Sequence, residues 1–251
     1  MYVIEKVFFV FNNKMKKSFK MKWIGLAACV LLGLFTVSCN KEEIKEIPLS
    51  NGDGYGDWVD LGLPSGLLWA TRNVGATSPE DYGDYFAWGE TTPKSTYDWT
   101  TYIYCSNGGY SQLTKYCSNS GSGYNGFTDY LTILQPGDDA ATANYGGRTP
   151  TKEEWQELMD NTTSQWTTLN GVNGRLFTSS NGNSLFLPAA GLHYYDSLYE
   201  TGGGGGYWSS SISPNGQSLY AWSFNFTSGN QRMYSSSRTH GLSVRAVCSA
   251  R

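Results

Sequence analysis

Seven Asn-Gly dipeptides punctuate the chain, beginning at Asn51, Asn107, Asn125, Asn170, Asn173, Asn181 and Asn215. Asn-Gly supplies consecutive residues that tolerate positive φ, which the tightest hairpin turns require. A chain broken this often is turn-rich and mostly β. Between the breaks lie runs with strand character: Trp58 to Leu61, Leu67 to Thr71, Leu131 to Leu134, Arg175 to Ser179, Ser184 to Leu187, Tyr207 to Ser211, Ser218 to Phe226 and Leu242 to Val247. One helix is predicted where Thr151 and Glu154 form a capping box and Trp155, Leu158 and Met159 fall on one face. Ser78-Pro79-Glu80-Asp81 has the residues of a second helix start, and Asp138 to Asn144 suits a third. With no fixed-period repeat and no composition break after about residue 57, one domain over residues 58–251 is expected.

The first 38 residues read as an export signal. Lys14, Lys16, Lys17, Lys20 and Lys22 precede an apolar run from Trp23 to Val37, of the length of a signal core and short for a bilayer span. Met15 or Met21 is an alternative start of translation. Val37-Ser38-Cys39 resembles a bacterial lipobox, which makes Cys39 the lipidated first residue of the mature chain and outer-membrane lipid its first partner. Asn40-Lys41-Glu42-Glu43 is similar to the acidic signal that sends Bacteroidota lipoproteins to the cell surface, and residues 39–57 read as a flexible tether. Without residues 1–38 the chain holds 12 basic and 20 acidic residues, net −8, and no basic run. No nucleic-acid partner is therefore expected.

Cys105, Cys117 and Cys248 remain for an oxidising compartment. Cys105 and Cys117 bracket a Gly/Ser/Asn/Tyr loop and are a candidate disulfide, the alternative being two free thiols. His193 and His240 are the only histidines, too few for a histidine-rich metal or acid/base site.

Seven ordered blocks then stand out: Trp58 to Ala76, Asp84 to Glu90, Asp138 to Thr142, Arg148 to Trp155, Leu187 to Gly191, Tyr207 to Ser211 and Gly241 to Val247. Together they resemble the Fibrobacter-succinogenes-major-paralogous-domain family of surface lipoproteins over nearly the whole mature domain. The Arg148 and Gly241 blocks are also similar to the formylglycine-generating-enzyme branch of the C-type-lectin-like fold. The resemblance implies an α+β, C-type-lectin-like domain with a small twisted antiparallel sheet, two or three short helices and extensive irregular loops. It does not bring catalysis with it, because the enzyme branch's cysteine pair has no counterpart near the end of this chain.

The fold also houses variable proteins of diversity-generating retroelements, whose changeable residues correspond here to Tyr207 to Val247. Strand alternation puts Tyr220, Trp222, Phe224 and Phe226 on a core face and Ala221, Ser223 and Asn225 on a displayed one. After a turn at Ser228-Gly229, the display is expected to continue through Asn230, Gln231, Arg232, Met233, Tyr234, Ser235 and Ser236. Gly202 to Gly206, a mobile or closely packed stretch, is flanked by Tyr194, Tyr195, Tyr199 and Tyr207. That composition fits an adaptable binding surface, and equally aromatics capping a core edge. The expected ligand contacts are Tyr194, Tyr195, Ser223, Asn225, Asn230, Gln231, Met233, Tyr234, Ser235 and Ser236.

Other motifs carry less. Gly121 to Gly126 matches a dinucleotide fingerprint but lacks its strand and helix. Asn51 to Gly62 departs from a calcium loop at Tyr55 and Gly62. No metal or cofactor is expected, a structural calcium at Asp138/Asp139 being the one alternative. His193 with Asp196 and nearby serines lacks the nucleophile turn of a hydrolase. The resemblance and the lipobox thus imply a lipid-anchored, outer-membrane, adhesin-like protein that binds a glycan or protein ligand and is not an enzyme. A structural envelope or fimbria-like subunit is the alternative, and a formylglycine-generating-type enzyme the remote one.

Overall fold

The computed structural model describes residues 57–250. The expected export signal over residues 1–38, the starts at Met15 or Met21, lipidation at Cys39 and all but the last residue of the tether lie outside the described residues. In chain order the strands are β1 (Trp58–Asp60), β2 (Leu67–Ala70), β3 (Thr162–Leu169), β4 (Val172–Ser179), β5 (Ser184–Pro188), β6 (Leu192–Tyr194), β7 (Ser197–Tyr199), β8 (Gly204–Ile212), β9 (Tyr220–Thr227), β10 (Gln231–Ser237) and β11 (Val247–Ser249). The helices α1 (Ala140–Asn144) and α2 (Lys152–Asn161) fall between β2 and β3. The strands pair antiparallel in sheets ordered β1-β2-β11, β3-β4-β5 and β10-β9-β8, with β6 and β7 as a separate hairpin. The architecture is mostly antiparallel β with few helices, and no described helix is long and apolar enough to cross a membrane.

The local signals act as the sequence predicts at several points. Thr151 Oγ1 accepts from Glu154 N–H, and Glu154 Oε2 accepts from Thr151 N–H at 2.8 Å, so both ends of the capping box are made. Asn170 and Gly171 take φ of 49° and 82°, which closes the β3–β4 hairpin. Three expectations fail. Ser78 to Asp81 is a turn, because the Asp81 carboxylate folds back to accept from Thr77 and Ser78 N–H. Leu131 to Leu134 contributes only a single bridge, Ile133 to Ser211. Within Leu242 to Val247, Leu242 and Ser243 pair singly with Phe86 and Tyr207, Val244 to Ala246 make no bridge, and only Val247 enters a strand.

The main core lies between α2 and the sheets. Trp155 stacks on Phe224 at 5.0 Å and donates its indole N–H to Trp208 O, while Trp69, Phe177, Leu185, Leu187 and Tyr207 close around it. Gly204 to Gly206 is not a mobile loop. It begins β8 and is buried, and a Cβ at Gly205 would stand 2.6 Å from the Phe226 ring. The run of glycines thus lets an aromatic ring lie against backbone.

Two buried arginines organise the irregular segments. Arg238 donates to Tyr102 Oη (2.8 Å) and to the carbonyls of Tyr116, Ser218 and Lys115 (each 3.1 Å), with its guanidinium 5.0 Å from the Trp88 ring centre. Arg245 donates to Asn73 Oδ1, Ala70 O and Phe186 O, and burial pushes its pKa down to about 10. Each cation joins chain segments that share no strand, so loops without ladders acquire fixed positions.

Candidate functional site

The β6–β7 hairpin turns through Tyr195 and Asp196, with Tyr195 at φ 55°. On its other side, β6 exchanges backbone bonds between His193 and Gly241 (2.8 and 3.0 Å). That antiparallel register sets Tyr194 opposite His240 and Leu192 opposite Leu242. The Tyr194 and His240 rings stand 5.3 Å apart, and Tyr194 also touches Tyr195 (4.6 Å) and Tyr199 (6.4 Å). Tyr194, Tyr195 and Tyr199 are 41%, 50% and 50% exposed, so four rings form one surface patch on a hydrogen-bonded ribbon. Burial brings the His240 pKa down to about 4, which leaves its ring neutral at physiological pH.

Leu242 links this patch to β8 and β9. Gly206 lies between them without a side chain; a Cβ there would be 3.2 Å from Leu242 Cδ2 and 3.6 Å from Asn225 Oδ1. Asn225 is paired with Gly206 on one side and Arg232 on the other, so Leu242, Gly206, Asn225 and Arg232 make a row across one face. Asn225 is half-buried, and its Oδ1 is enclosed without a hydrogen-bond partner among the described residues. Beyond it, Arg232 and Tyr234 are exposed, the guanidinium 5.4 Å from the tyrosine ring centre. The result is a shallow face with a glycine floor, an unpaired amide oxygen and tyrosines at either margin.

The expected contact residues divide. Tyr194, Tyr195, Asn230 and Tyr234 are exposed, and Asn225 reaches the surface. Ser223 and Ser236 are a correction: both are buried, bonded to each other at 2.8 Å. They are not displayed because Leu242 and Val244 pack with Trp208 and Ala221 over that end of the face. Gln231 accepts from Ser164 Oγ, Met233 packs on the main core, and Ser235 donates to Ser213 Oγ. Tyr220, assigned to the core, is exposed instead, because it is the first residue of β9 and lies beyond the last β8–β9 pair, Ile212↔Ala221. Tyr199 and His240 belong to the patch but were outside the expected set; the signal was the β6–Gly241 register, which only the fold reveals.

The remaining expectations are quickly placed. Cys105 and Cys117 are unbridged thiols donating to Gly109 O and Asn119 O, which corrects the candidate disulfide. Burial raises both pKa values, so neither is an activated thiolate. Asp139 accepts from the N–H groups of Ala141 and Thr149 and from Thr149 Oγ1. Asp138 accepts from Tyr104, Tyr116 and Lys115; burial works to raise its carboxyl, but these donors hold it below the usual range. Both carboxylates are engaged by protein donors, an arrangement unlike a calcium site, and the described residues contain no cluster of three metal-ligating side chains. His193 sits between the rings of Tyr85 and Tyr97, while Asp196 accepts from Ser197 Oγ, so no catalytic triad is assembled from them.

A family model described as a domain of unknown function (DUF8237) matches residues 161–247, about a third of the chain. That span runs from the end of α2 to the start of β11 and contains every residue of the face. No curated protein matches the chain, and no solved structure does.

Proposed function

We propose that this is a lipid-anchored surface protein of C-type-lectin-like fold that captures a glycan or protein ligand, without catalysis, on the face centred on Asn225. Lipid on Cys39 tethers it to the outer membrane, facing outward. The observation that carries this reading is the enclosed, unpartnered Oδ1 of Asn225 at the floor of a face edged by exposed tyrosines. A buried acceptor left unpaired costs about 1–3 kcal/mol, which a ligand hydroxyl or amide N–H would recover on binding. Tyrosine offers rigid amphipathic area, suited both to the apolar face of a sugar ring and to a peptide surface. The sheet beneath is packed on the main core through Phe224, Phe226 and Met233, so the groups are held in place before the ligand arrives.

The test presents the full chain to a glycan array and to cell-surface extracts, with and without calcium. Asn225→Ala combined with Tyr194→Ala and Tyr234→Ala removes capture, while Asn225→Ala alone leaves the melting temperature unchanged or slightly raised, since it deletes an unsatisfied oxygen. Capture that survives the triple variant rules this face out as the site. The calcium arm separates an amide-and-aromatic site from a metal-dependent one.

A further inference from the structure

We propose that the chain pairs with a second copy of itself along β3, joining two β3-β4-β5 sheets into one six-stranded antiparallel sheet about a two-fold axis. β3 is eight residues long and lies at the edge of its sheet. β4 occupies one side, and among the described residues no backbone hydrogen bond leaves the other. Edge strands are ordinarily protected by lysine, proline, a bulge or shortness, because their free N–H and C=O groups template further pairing. β3 has none of these. Thr162 to Leu169 contains no charged residue and no proline, and its register with β4 runs unbroken from Thr162↔Ser179 to Leu169↔Val172. Of the other long edges, β8 is bonded on its far side to the Gly191 and Ser243 segments, and β10 carries the exposed Arg232.

The symmetry of the strand itself selects a second copy as the occupant. Antiparallel pairing centred on Gln165 sets Thr162 against Thr168 of the second copy, Thr163 against Thr167, Ser164 against Trp166 and Gln165 against itself. Thr–Thr pairs are among the favourable cross-strand combinations, and no like charges meet. This register also keeps faces consistent. Thr163, Gln165 and Thr167 share the face of Leu176 and Thr178, while Ser164 and Trp166 lie on the face of Phe177 and Arg175. Centring on a residue continues the inward face of one copy into the inward face of the other, whereas a one-residue slip would join inward to outward. Thr163 and Gln165 are exposed, and Trp166 already packs against Phe226, so pairing asks for no change in the core. The geometry is independent of the ligand-binding face and of what that face binds.

Cross-linking in the full chain, dispersed in mild detergent, tests the axis directly. Gln165→Cys places two thiols directly opposite each other, within the ~4.5–5.5 Å Cβ separation of paired residues. Thr163→Cys leaves its thiols offset along the strands, and the unsubstituted chain controls for the native cysteines. Mild oxidation followed by a non-reducing gel should link the Gln165→Cys variant at least ~5-fold more than Thr163→Cys, and adding Thr167→Cys to the latter should restore linkage. Gln165→Lys, which sets two like charges face to face, should lower the association constant by ~10-fold or more in light scattering, with an unchanged circular dichroism spectrum. Equal linkage of the two single cysteine variants overturns the proposal, as does a monomeric mass for the unsubstituted chain at high concentration. Linkage of β3 to another part of its own chain overturns it as well.

Discussion

Replacing Arg238 by methionine tests whether a buried cation holds the irregular half of the domain in place. The side chain is fully buried, and its guanidinium satisfies three carbonyl oxygens and one phenol oxygen drawn from three loops. Among the described residues no carboxylate pairs with it; the Trp88, Tyr102 and Tyr116 rings, 5.0, 5.1 and 5.7 Å away, add cation–π contacts. Methionine fills much of the volume, so little of the effect comes from a cavity. It leaves four acceptors without that donor, at roughly 1 kcal/mol or more each, and removes cation–π contacts of about 1–2 kcal/mol. Part of that loss is offset because the cation no longer has to be desolvated. A net loss of about 3–5 kcal/mol remains, equivalent to roughly 6–20 °C for a domain of this size. Arg238→Lys keeps the charge but cannot span four acceptors, so its loss should fall between the two. Denaturant titration followed by tryptophan fluorescence, with hydrogen exchange across residues 85–120, reads both the magnitude and the place. A methionine variant within ~3 °C of the parent, or a lysine variant equal to it, would refute the reasoning.

Three further outcomes follow from the same contacts. His240 has a folded-state pKa near 4 against 6.5 when unfolded, so its contribution is complete above pH 6.5 and is lost as pH falls toward 4. Stability should drop by up to about 3 kcal/mol over that window, and His240→Gln should flatten the difference in unfolding midpoints. Gly205→Ala drives a methyl into the Phe226 ring and should cost about 1–3 kcal/mol in a urea titration, whereas Gly229→Ala, which meets open space, should be silent. Because Cys105 and Cys117 are unbridged, a reducing agent should leave the melting temperature unchanged; a fall of several degrees would show that they pair.

What the sequence made legible was what near neighbours decide. The Thr151–Glu154 box, the short helix within Asp138 to Asn144 and the Asn170-Gly171 turn each depend on atoms a few residues apart, and each forms as read. β3 escaped notice because Thr162 to Leu169 is polar on both faces, and half-exposed edge strands carry no apolar alternation. The glycine run looked like a loop because nothing local discloses that the Phe226 ring fills the space of the missing side chain. The placement of Ser223 and Ser236 failed for a similar reason. Alternation assigns a residue to a face but not what covers that face, and here the cover comes from Leu242 and Val244, held by Arg238 and Arg245 at either end of their segment.

The same distinction bears on where a ligand can bind. At the Trp208 end of the β8-β9-β10 face, Leu242 and Val244 pack with Trp208 and Ala221, and on β9 Ser223 is bonded to Ser236. At the Gly206 end, Gly191 and Ser243 donate to the carbonyls of Gly204 and Gly206 on the β8 edge, and Asn225 keeps an acceptor for which the described residues provide no donor. A strand that passes from satisfied to unsatisfied polar groups within two residues marks a boundary between packing and recognition. Asn225→Leu sharpens the point. It should be tolerated, with Leu242 as an apolar neighbour, and stability should hold or rise by up to about 1 kcal/mol while capture is lost. If Asn225→Leu instead destabilises the fold as much as a core substitution, the amide is structural and the face is not the binding surface.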